Sequence, residues 1–481
     1  MEIQGSAGHA RRIIGPSSSP LGIACRKGKI RGRNGAEIDL FDGPRSLSNS
    51  AMSFFDFSLQ LSAARPWSFP LSSIPRVFSN VSSFNSSTIP SSPSVTSMRP
   101  SHIPMELVLE FLDAARDDFD NDAYVQLLMS CSLVCRAWST PAQKILFSNV
   151  TLRSQRSFQL FMNAVDPSTP HGGVLGNVVK RLRVVLDHNQ PSGLHPHSFA
   201  LAVNACSNLS ELEVSLYGCA EPGQDIVGSP DVSRLQRAAP SFDEQTISLL
   251  KSGPQIGHLH FNNWSDNQQS LFQLLDVWPS LQFLSIGGTS LQHMEDSPLP
   301  YAGSLKGLSL NFQVTPSVDV LKWLLHNSSR SLRVLHLQRD LCLEALEYLV
   351  HAHGSRLQVV SLPGFGSSEV PALLAQCEQL RELRTENPAL SQSLYKHFPA
   401  SIERLAFGLD RDTSLSSIIE VVKTSDSLKS LDIQLWANGH CNPLLSTLKI
   451  ACTYRGIEMN TTSDLRVFRA LDLTTSSTRD S

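Results

Sequence analysis

The amino-acid sequence predicts an α/β protein with three parts. These are a disordered leader, a short all-helical module, and an array of stacked strand–helix units with a parallel sheet on its concave side and helices on its convex side. Residues 1–100 are rich in Ser and Pro. Apolar residues recur at helical spacing after residue 101. From residue 178 onward, a short apolar pattern repeats at nearly equal intervals.

The composition excludes several classes of protein. A length of 481 residues exceeds the roughly 250–300 at which one hydrophobic core stops growing, so more than one module is expected. A formal net charge of -3 gives no basic field for a nucleic-acid partner. No apolar run approaches the roughly 20 residues that cross a membrane. The nine cysteines are dilute and odd in number, which disfavours a disulfide framework. We expect a cytoplasmic or nuclear protein.

Residues 1–100 are predicted to be a disordered Ser/Pro-rich leader. Between residues 51 and 100, 15 of 50 residues are Ser and Asp56 is the only acidic one. No helical or strand period persists there, so the entropy lost on ordering would not be offset by burial. A targeting peptide is the alternative for the mildly basic start, but its amphipathicity is weak and the disordered leader is favoured.

Residues 101–150 are predicted to form the helical module, and residues 151–177 a linking helix and loop. The acidic stretch at 117–122 is predicted to be a loop between two short helices. So short a module cannot build a large core of its own, and some of its apolar side chains should remain on the surface. This surface is expected to dock a partner.

Two blocks of this module resemble the F-box family. The first is Ile103 to Val108, which reads IPMELV, and the second is the run LVCRAW from Leu133 to Trp138. The ending at Ile145 to Phe147 is similar to the version common in fungal proteins. The resemblance covers about 45 residues, and its blocks occur in the family's order.

This resemblance implies docking onto a Skp-type adaptor, which connects to a cullin scaffold and a ubiquitin-conjugating enzyme. The adaptor contacts carried over by position are Ile103, Pro104, Leu107, Val108, Leu112, Val134, Cys135 and Trp138. Most of them are apolar, and one is an aromatic anchor of the kind that dominates interfaces. The alternative for each is a place in the module's own core. For two other apolar residues of the module, Leu128 and Cys131, a place in the core is favoured. For Pro104, Leu107 and Trp138, a place in the interface is favoured.

Residues 178–460 are predicted to form the repeat array. The pattern is an apolar residue, two other positions, an apolar residue, one other position and an apolar residue. From Ile256, the copies begin at residues 256, 281, 305, 332, 357, 380, 402 and 428, so the intervals are 22 to 27 residues. They resemble leucine-rich repeats, which stack into a solenoid. The copy at 380–385 is degraded. The segment 218–240 is predicted to loop out of the array, and residues 461–481 are predicted to be a C-terminal tail.

Side chains alternate along a strand, so residues between the apolar positions should project as an exposed row on the concave sheet. The target-binding residues predicted from this row are Arg181, Arg183, Glu211, Glu213, His258, His260, Asn262, His336, Gln338, Arg384 and Arg404. Small residues such as Ser285, Gly287 and Gly307 predict a shallow depression in the row. The alternative is a solvated sheet face without a specific binding role.

An F-box followed by leucine-rich repeats resembles the substrate receptors of SCF-type ubiquitin ligases, whose repeats capture a target protein for ubiquitination and degradation. A leucine-rich-repeat scaffold acting outside a ubiquitin ligase is the alternative. An enzyme with an unrecognised site on the concave face is a more distant one.

Enzyme signatures are absent from the sequence. It contains no Gly-rich phosphate loop, no GxGxxG after a strand, no GxSxG elbow and no zinc-type Cys pair. The nearest metal-ligand set, His258 and His260 with His336, lacks a matching Cys or carboxylate group. We therefore predict no catalytic, cofactor-binding or metal-binding residues, and no enzyme activity of the chain itself.

Overall fold

The computed structural model describes residues 104–118, 121–218, 239–265, 267–289, 291, 299–364, 369–388, 399–465 and 467–469. The predicted leader, Ile103 and nearly all of the predicted insertion at 218–240 lie outside these ranges.

Three helices begin the described chain: α1 (Met105–Asp118), α2 (Asn121–Ser132) and α3 (Arg136–Ser148). They pack against one another. The acidic stretch predicted to be a loop lies largely within α1 and α2 instead, because α1 continues to Asp118 and α2 begins at Asn121.

The helical module has a small core that is distinct from the core of the sheet, and α3 joins the two because its Leu146 packs against both. Val108, Leu112 and Ala115 follow one another at intervals of three or four residues, so they share one face of α1, and all three are buried. This face packs against Tyr124, Leu128, Cys131 and Ala142 of α2 and α3. The Tyr124 hydroxyl donates a 3.0 Å hydrogen bond to the carbonyl oxygen of Leu112, which ties α2 to α1.

Within the described residues, twelve parallel strands form one sheet, and each strand pairs with the next one in chain order. In chain order the strands are β1 (Asn149–Leu152), β2 (Arg181–Asp187), β3 (Glu211–Tyr217), β4 (His258–Trp264), β5 (Phe283–Gly288), β6 (Gly307–Phe312), β7 (Val334–Leu337), β8 (Val359–Leu362), β9 (Glu382–Thr385), β10 (Arg404–Leu409), β11 (Ser430–Leu435) and β12 (Glu458–Thr462).

Parallel neighbours require crossover connections, and helices supply most of them here. The helices that follow β1 are α4 (Gln155–Ala164), α5 (Pro170–Val178), α6 (Pro196–Asn204), α7 (Glu244–Ser252), α8 (Gln269–Val277), α9 (Val318–Leu325), α10 (Leu343–His353), α11 (Val370–Leu374), α12 (Ser416–Thr424) and α13 (Leu445–Arg455). Side-chain caps begin four of these helices, α4, α5, α7 and α9. At the start of α7, for example, Asp243 accepts a 2.6 Å hydrogen bond from the Thr246 amide.

The apolar sequence pattern becomes a ladder of stacked side chains across the sheet. The central positions of the pattern are in register from strand to strand, and they are Leu182, Leu212, Leu259, Leu284, Leu308, Leu335, Val360, Leu383, Leu405 and Leu431. Each is buried. We call this set the leucine ladder. The predicted strands are therefore confirmed, and the degraded copy forms β9.

The buried faces of the connecting helices complete the same core as the leucine ladder. In α9, Val320, Leu321, Leu324 and Leu325 are all buried, as their sequence spacing predicts. Successive helices also pack against each other, as α6 does against α7. The leucine side of the sheet is thus covered by helices, which leaves the polar side chains on the opposite face.

The sheet extends beyond the predicted array at both ends. Its first strand begins at Asn149, inside the stretch assigned to the helical module, and two helices occupy most of residues 151–177 where one was predicted. At the other end, β12 reaches Thr462 and the Phe468 side chain is fully buried. The predicted tail, residues 461–481, therefore begins inside β12, and the described residues after β12 are not a free tail because Phe468 is buried against the fold.

Leu259→Ala should lower the free energy of unfolding by about 2–5 kcal/mol, because it leaves a cavity in the leucine ladder between Leu212 and Leu284. Urea-induced unfolding followed by circular dichroism measures the loss. Leu299→Ala is the matched control, since this leucine is 89% exposed, and its change should stay within about 0.5 kcal/mol. Equal losses in both variants would contradict the role given to the ladder.

Candidate functional site

Exposed apolar side chains lie beside the core of the helical module. Leu107 and Phe111 are one turn apart on α1, and they are 55% and 50% exposed. The Phe111 ring meets the Trp138 ring of α3 edge-on, with 5.5 Å between the ring centroids. Val134, in the turn before α3, is 67% exposed. We call Leu107, Phe111, Val134 and Trp138 the α1–α3 patch.

The opposite flank of α1 is also apolar and exposed. Met105 and Leu109 are one turn apart on it, and both are exposed. Helix α1 therefore shows apolar side chains on both sides of the face that it buries. Soluble monomers seldom leave such a surface uncovered, so this arrangement favours contact with a partner.

The predicted adaptor contacts divide into two groups in the structure. Pro104, Leu107, Val134 and Cys135 are exposed, and Trp138 is half-buried. Two further predicted contacts, Val108 and Leu112, were assigned wrongly, because both are fully buried in the module's own core. Phe111 is not among the predicted contacts, although its four-residue spacing from Leu107 places the two on one helix face.

The face of the sheet opposite the leucine ladder carries a continuous row of side chains in register. From β2 to β12 the row consists of Arg183, Glu213, His260, Ser285, Ser309, His336, Ser361, Arg384, Ala406, Asp432 and Asn460. We call it the central row. The central row therefore contains three predicted target-binding residues of the first half of the array, Arg183, Glu213 and His260, and two of the second, His336 and Arg384.

Ion pairs link the predicted residues on β2, β3 and β4. Arg181 pairs with Glu211 at 2.6 Å and Arg183 with Glu213 at 2.7 Å, while His260 Nε2 lies 3.3 Å from a Glu211 oxygen. Burial acts to raise the pKa of Glu211, but the hydrogen bonds from His260 and Arg181 and the charge of Arg181 outweigh it and lower the pKa. The two arginines remain about half exposed, so this end of the sheet presents charge to solvent.

The middle of the sheet is less open than the sequence predicted. The His258 ring stacks on the Phe283 ring with 4.6 Å between centroids. Phe283 lies so close to Gly307 on β6 that a Cβ at Gly307 would overlap its ring. The predicted depression is therefore filled by an aromatic ring at this point. Asn262 and Gln338 are half-buried nearby on the polar face.

The polar face is covered at β9 to β11, where the sequence predicted exposure. Arg384 is 1% exposed, and the residue above it is Phe468, which follows β12. The Arg384 guanidinium carbon lies 4.9 Å from the centroid of the Phe468 ring, and Arg384 Nη1 donates a hydrogen bond to the Phe468 carbonyl oxygen. The prediction of an exposed Arg384 is wrong, because the chain returns across the sheet after its last strand.

Beneath Phe468 the charged side chains are paired with one another. Glu382 lies 3.2 Å from Arg384 and 3.8 Å from Arg404, and Arg404 lies 3.3 Å from Asp432. Asn460 adds a 3.1 Å hydrogen bond to Asp432. We call Glu382, Arg384, Arg404 and Asp432 the ionic cluster.

His336 on β7 is also shielded, contrary to its predicted place in an exposed row. The residue is half-buried and its Nε2 has no contact with solvent. Burial, and then the charge of Arg384, lower the pKa of His336 to about 4. The imidazole is therefore neutral at physiological pH, and it lies three strands away from His260 in the central row.

Two further findings apply to the residues that the structure describes. No group of three or more His, Cys, Asp or Glu side chains among them is placed to hold a metal ion. None of the helices in the described ranges is long and apolar enough to cross a membrane.

Comparison with known proteins finds no family model that matches the chain and no curated protein that matches it.

His336→Gln should remove part of the acid sensitivity of the fold. The wild-type histidine has a pKa of about 4 in the fold against 6.5 ordinarily, so the unfolded chain takes up the proton first. The stabilisation that the fold gains from a neutral His336 is complete above pH 6.5, and this free energy falls by up to about 3 kcal/mol as the pH drops to 4. The difference in unfolding free energy between wild type and variant, measured from pH 7 to pH 4, should therefore shrink or reverse.

His351→Gln is the control for this measurement, because it removes an exposed imidazole from α10. It shows how replacing a histidine by glutamine at an exposed position changes the unfolding free energy over the same pH range. A difference for His336→Gln that stays constant from pH 7 to pH 4 would show that His336 is not shielded from solvent.

Proposed function

We propose that this protein is the substrate-recognition subunit of an SCF-type ubiquitin ligase. In this proposal the helical module is an F-box that docks a Skp-type adaptor. The twelve strands and their helices form a leucine-rich-repeat solenoid that captures a target protein. The observation that carries the proposal is the exposed α1–α3 patch on a module whose own core is already closed.

The closed core of the module supports the docking role. Val108 and Leu112 fix the inner face of α1, so Leu107 and Phe111 are held in place on its surface before any partner arrives. Burying an exposed Leu or Phe side chain contributes roughly 1.5–3 kcal/mol. Aromatic residues such as Phe111 and Trp138 are also the kind of anchor that dominates interface energies.

The separation of the two cores supports a receptor with two binding surfaces. The α1–α3 patch belongs to the helical module, whereas the polar face of the sheet belongs to the larger core of strands and helices. An adaptor on the first surface would leave the second free for a target.

In this function the chain contributes proximity, and the chemistry of ubiquitin transfer belongs to other subunits. A target held on the sheet is kept near the conjugating enzyme that the adaptor and cullin bring with them. Such tethering raises the effective concentration of the target's lysine at the reaction centre.

Leu107→Lys and Val134→Lys should each weaken binding of a purified Skp-type adaptor at least about tenfold, because each places a charge in an apolar contact. Isothermal titration calorimetry with the full chain measures the affinity. Both side chains are exposed, so the free energy of unfolding should stay close to that of the wild type.

Leu299→Lys is the matched control, since it introduces the same charge at an exposed leucine outside the helical module. It should bind the adaptor as the wild type does. Failure of the wild-type chain to bind the adaptor would refute the ligase proposal. The alternative function, an interaction scaffold that acts outside a ubiquitin ligase, would then be favoured. Equal affinity for all three variants would show that the α1–α3 patch is not the contact.

A further inference from the structure

The segment after β12 makes a specific set of contacts on the polar face of the sheet. Phe468 is fully buried over Arg384, and its carbonyl oxygen accepts a hydrogen bond from the Arg384 guanidinium. The next residue, Arg469, donates two hydrogen bonds of 2.6 Å to the two carboxylate oxygens of Glu386, which directly follows β9. The Arg384 guanidinium thus recognises both the aromatic ring and the main-chain carbonyl, and the Glu386 carboxylate recognises the guanidinium of Arg469.

These contacts have the character of peptide recognition. Two parallel bonds between a guanidinium and a carboxylate require a fixed planar geometry, which lysine cannot reproduce. A guanidinium beneath an aromatic ring adds a cation–π attraction that is stronger away from water. Trp436 donates a 2.9 Å hydrogen bond to the main-chain carbonyl oxygen of Glu386, and its partly exposed ring adds apolar surface next to this residue.

The covering segment is held without any strand pairing. Its described residues form a helical turn, in which the Phe468 amide donates a 3.0 Å hydrogen bond to the Asp464 carbonyl oxygen. One further bond, of 3.3 Å, runs from Gln434 Nε2 to the Ser463 carbonyl oxygen. Lifting the segment away would therefore break side-chain contacts and leave the sheet ladder intact.

The ionic cluster would remain balanced in charge. Arg384 keeps Glu382 as a partner, and Arg404 keeps Asp432. Leaving a buried charge without a partner is the main cost of breaking a buried ion pair. That cost falls on Glu386, which is 12% exposed and loses the guanidinium of Arg469. An incoming segment therefore has to supply a guanidinium in its place. The contacts of Phe468 and Arg469 can thus be replaced by those of another segment with the same chemistry.

We propose that the polar face at β9 to β11 is a binding site for a peptide segment in which an aromatic residue is followed by arginine, and that Phe468-Arg469 of this chain is its resident occupant. Under the proposed function, on which the biological use of the site rests, a target would present such a segment and displace the chain's own.

The test uses the full chain with Phe468→Ser and Arg469→Ser together, which empties the site, and a fluorescent peptide of residues 463–470. Fluorescence anisotropy should show that this double variant binds the peptide at least tenfold more tightly than the wild type, whose own segment competes. The single variant Arg469→Ser, at a partly exposed side chain, should bind with an intermediate affinity.

Charge reversal provides the control for specificity. A peptide with glutamate in place of Arg469 should not bind the double variant, and adding Glu386→Arg to that variant should restore its binding. No binding of the original peptide to the folded double variant, or equal binding of both peptides, would overturn the proposal. Loss of the fold in the double variant would also overturn it, since Phe468 would then be a fixed part of the core.

Adaptor binding is measured on the same double variant. The α1–α3 patch is unchanged in it, so the adaptor should bind as it does to the wild type. Peptide binding without adaptor binding would refute the ubiquitin-ligase function and support the peptide site. Adaptor binding without peptide binding would support the ubiquitin-ligase function and refute the peptide site.

Discussion

A single strand–helix unit of this chain cannot bury its own leucines, and this constraint governs the rest of the structure. Each side chain of the leucine ladder is covered by its counterparts on the neighbouring strands and by the helices on the same side. The strands therefore follow one another in chain order, and each adds its apolar residues to a core that all units share. The leucine side chains are buried because each unit has neighbouring units, and not because any one unit is large.

The same alternation that buries the leucines produces the central row. Because every strand is in register with the next, a polar residue between two leucines lies beside the corresponding residue of its neighbours. At β2 to β4 the row is open and carries the Arg181–Glu211 and Arg183–Glu213 pairs. At β9 to β11 Phe468 covers Arg384, and the charges of the ionic cluster are paired with one another. One strand pattern thus gives two surfaces of different character.

The helical module divides its apolar residues between two roles by small differences in helical phase. Val108 and Leu112 point into its core, whereas Leu107 and Phe111, each one residue earlier, are exposed on its surface. One residue along an α-helix is a rotation of about 100°. A sequence rich in leucine and phenylalanine therefore supplies both the core of the module and an exposed apolar surface beside it.

The sequence by itself determined the repeating pattern, the strands it forms and the connecting helices, because these depend on spacing within about ten residues. It also indicated which residues share the central row, since register follows from the repeat. Only the tertiary structure decided that β1 joins the sheet and that Val108 and Leu112 are interior. The cover over Arg384 likewise depends on Phe468, 84 residues away in the chain. Local periodicity carries no information about contacts at such separations, because they depend on where the folded chain returns.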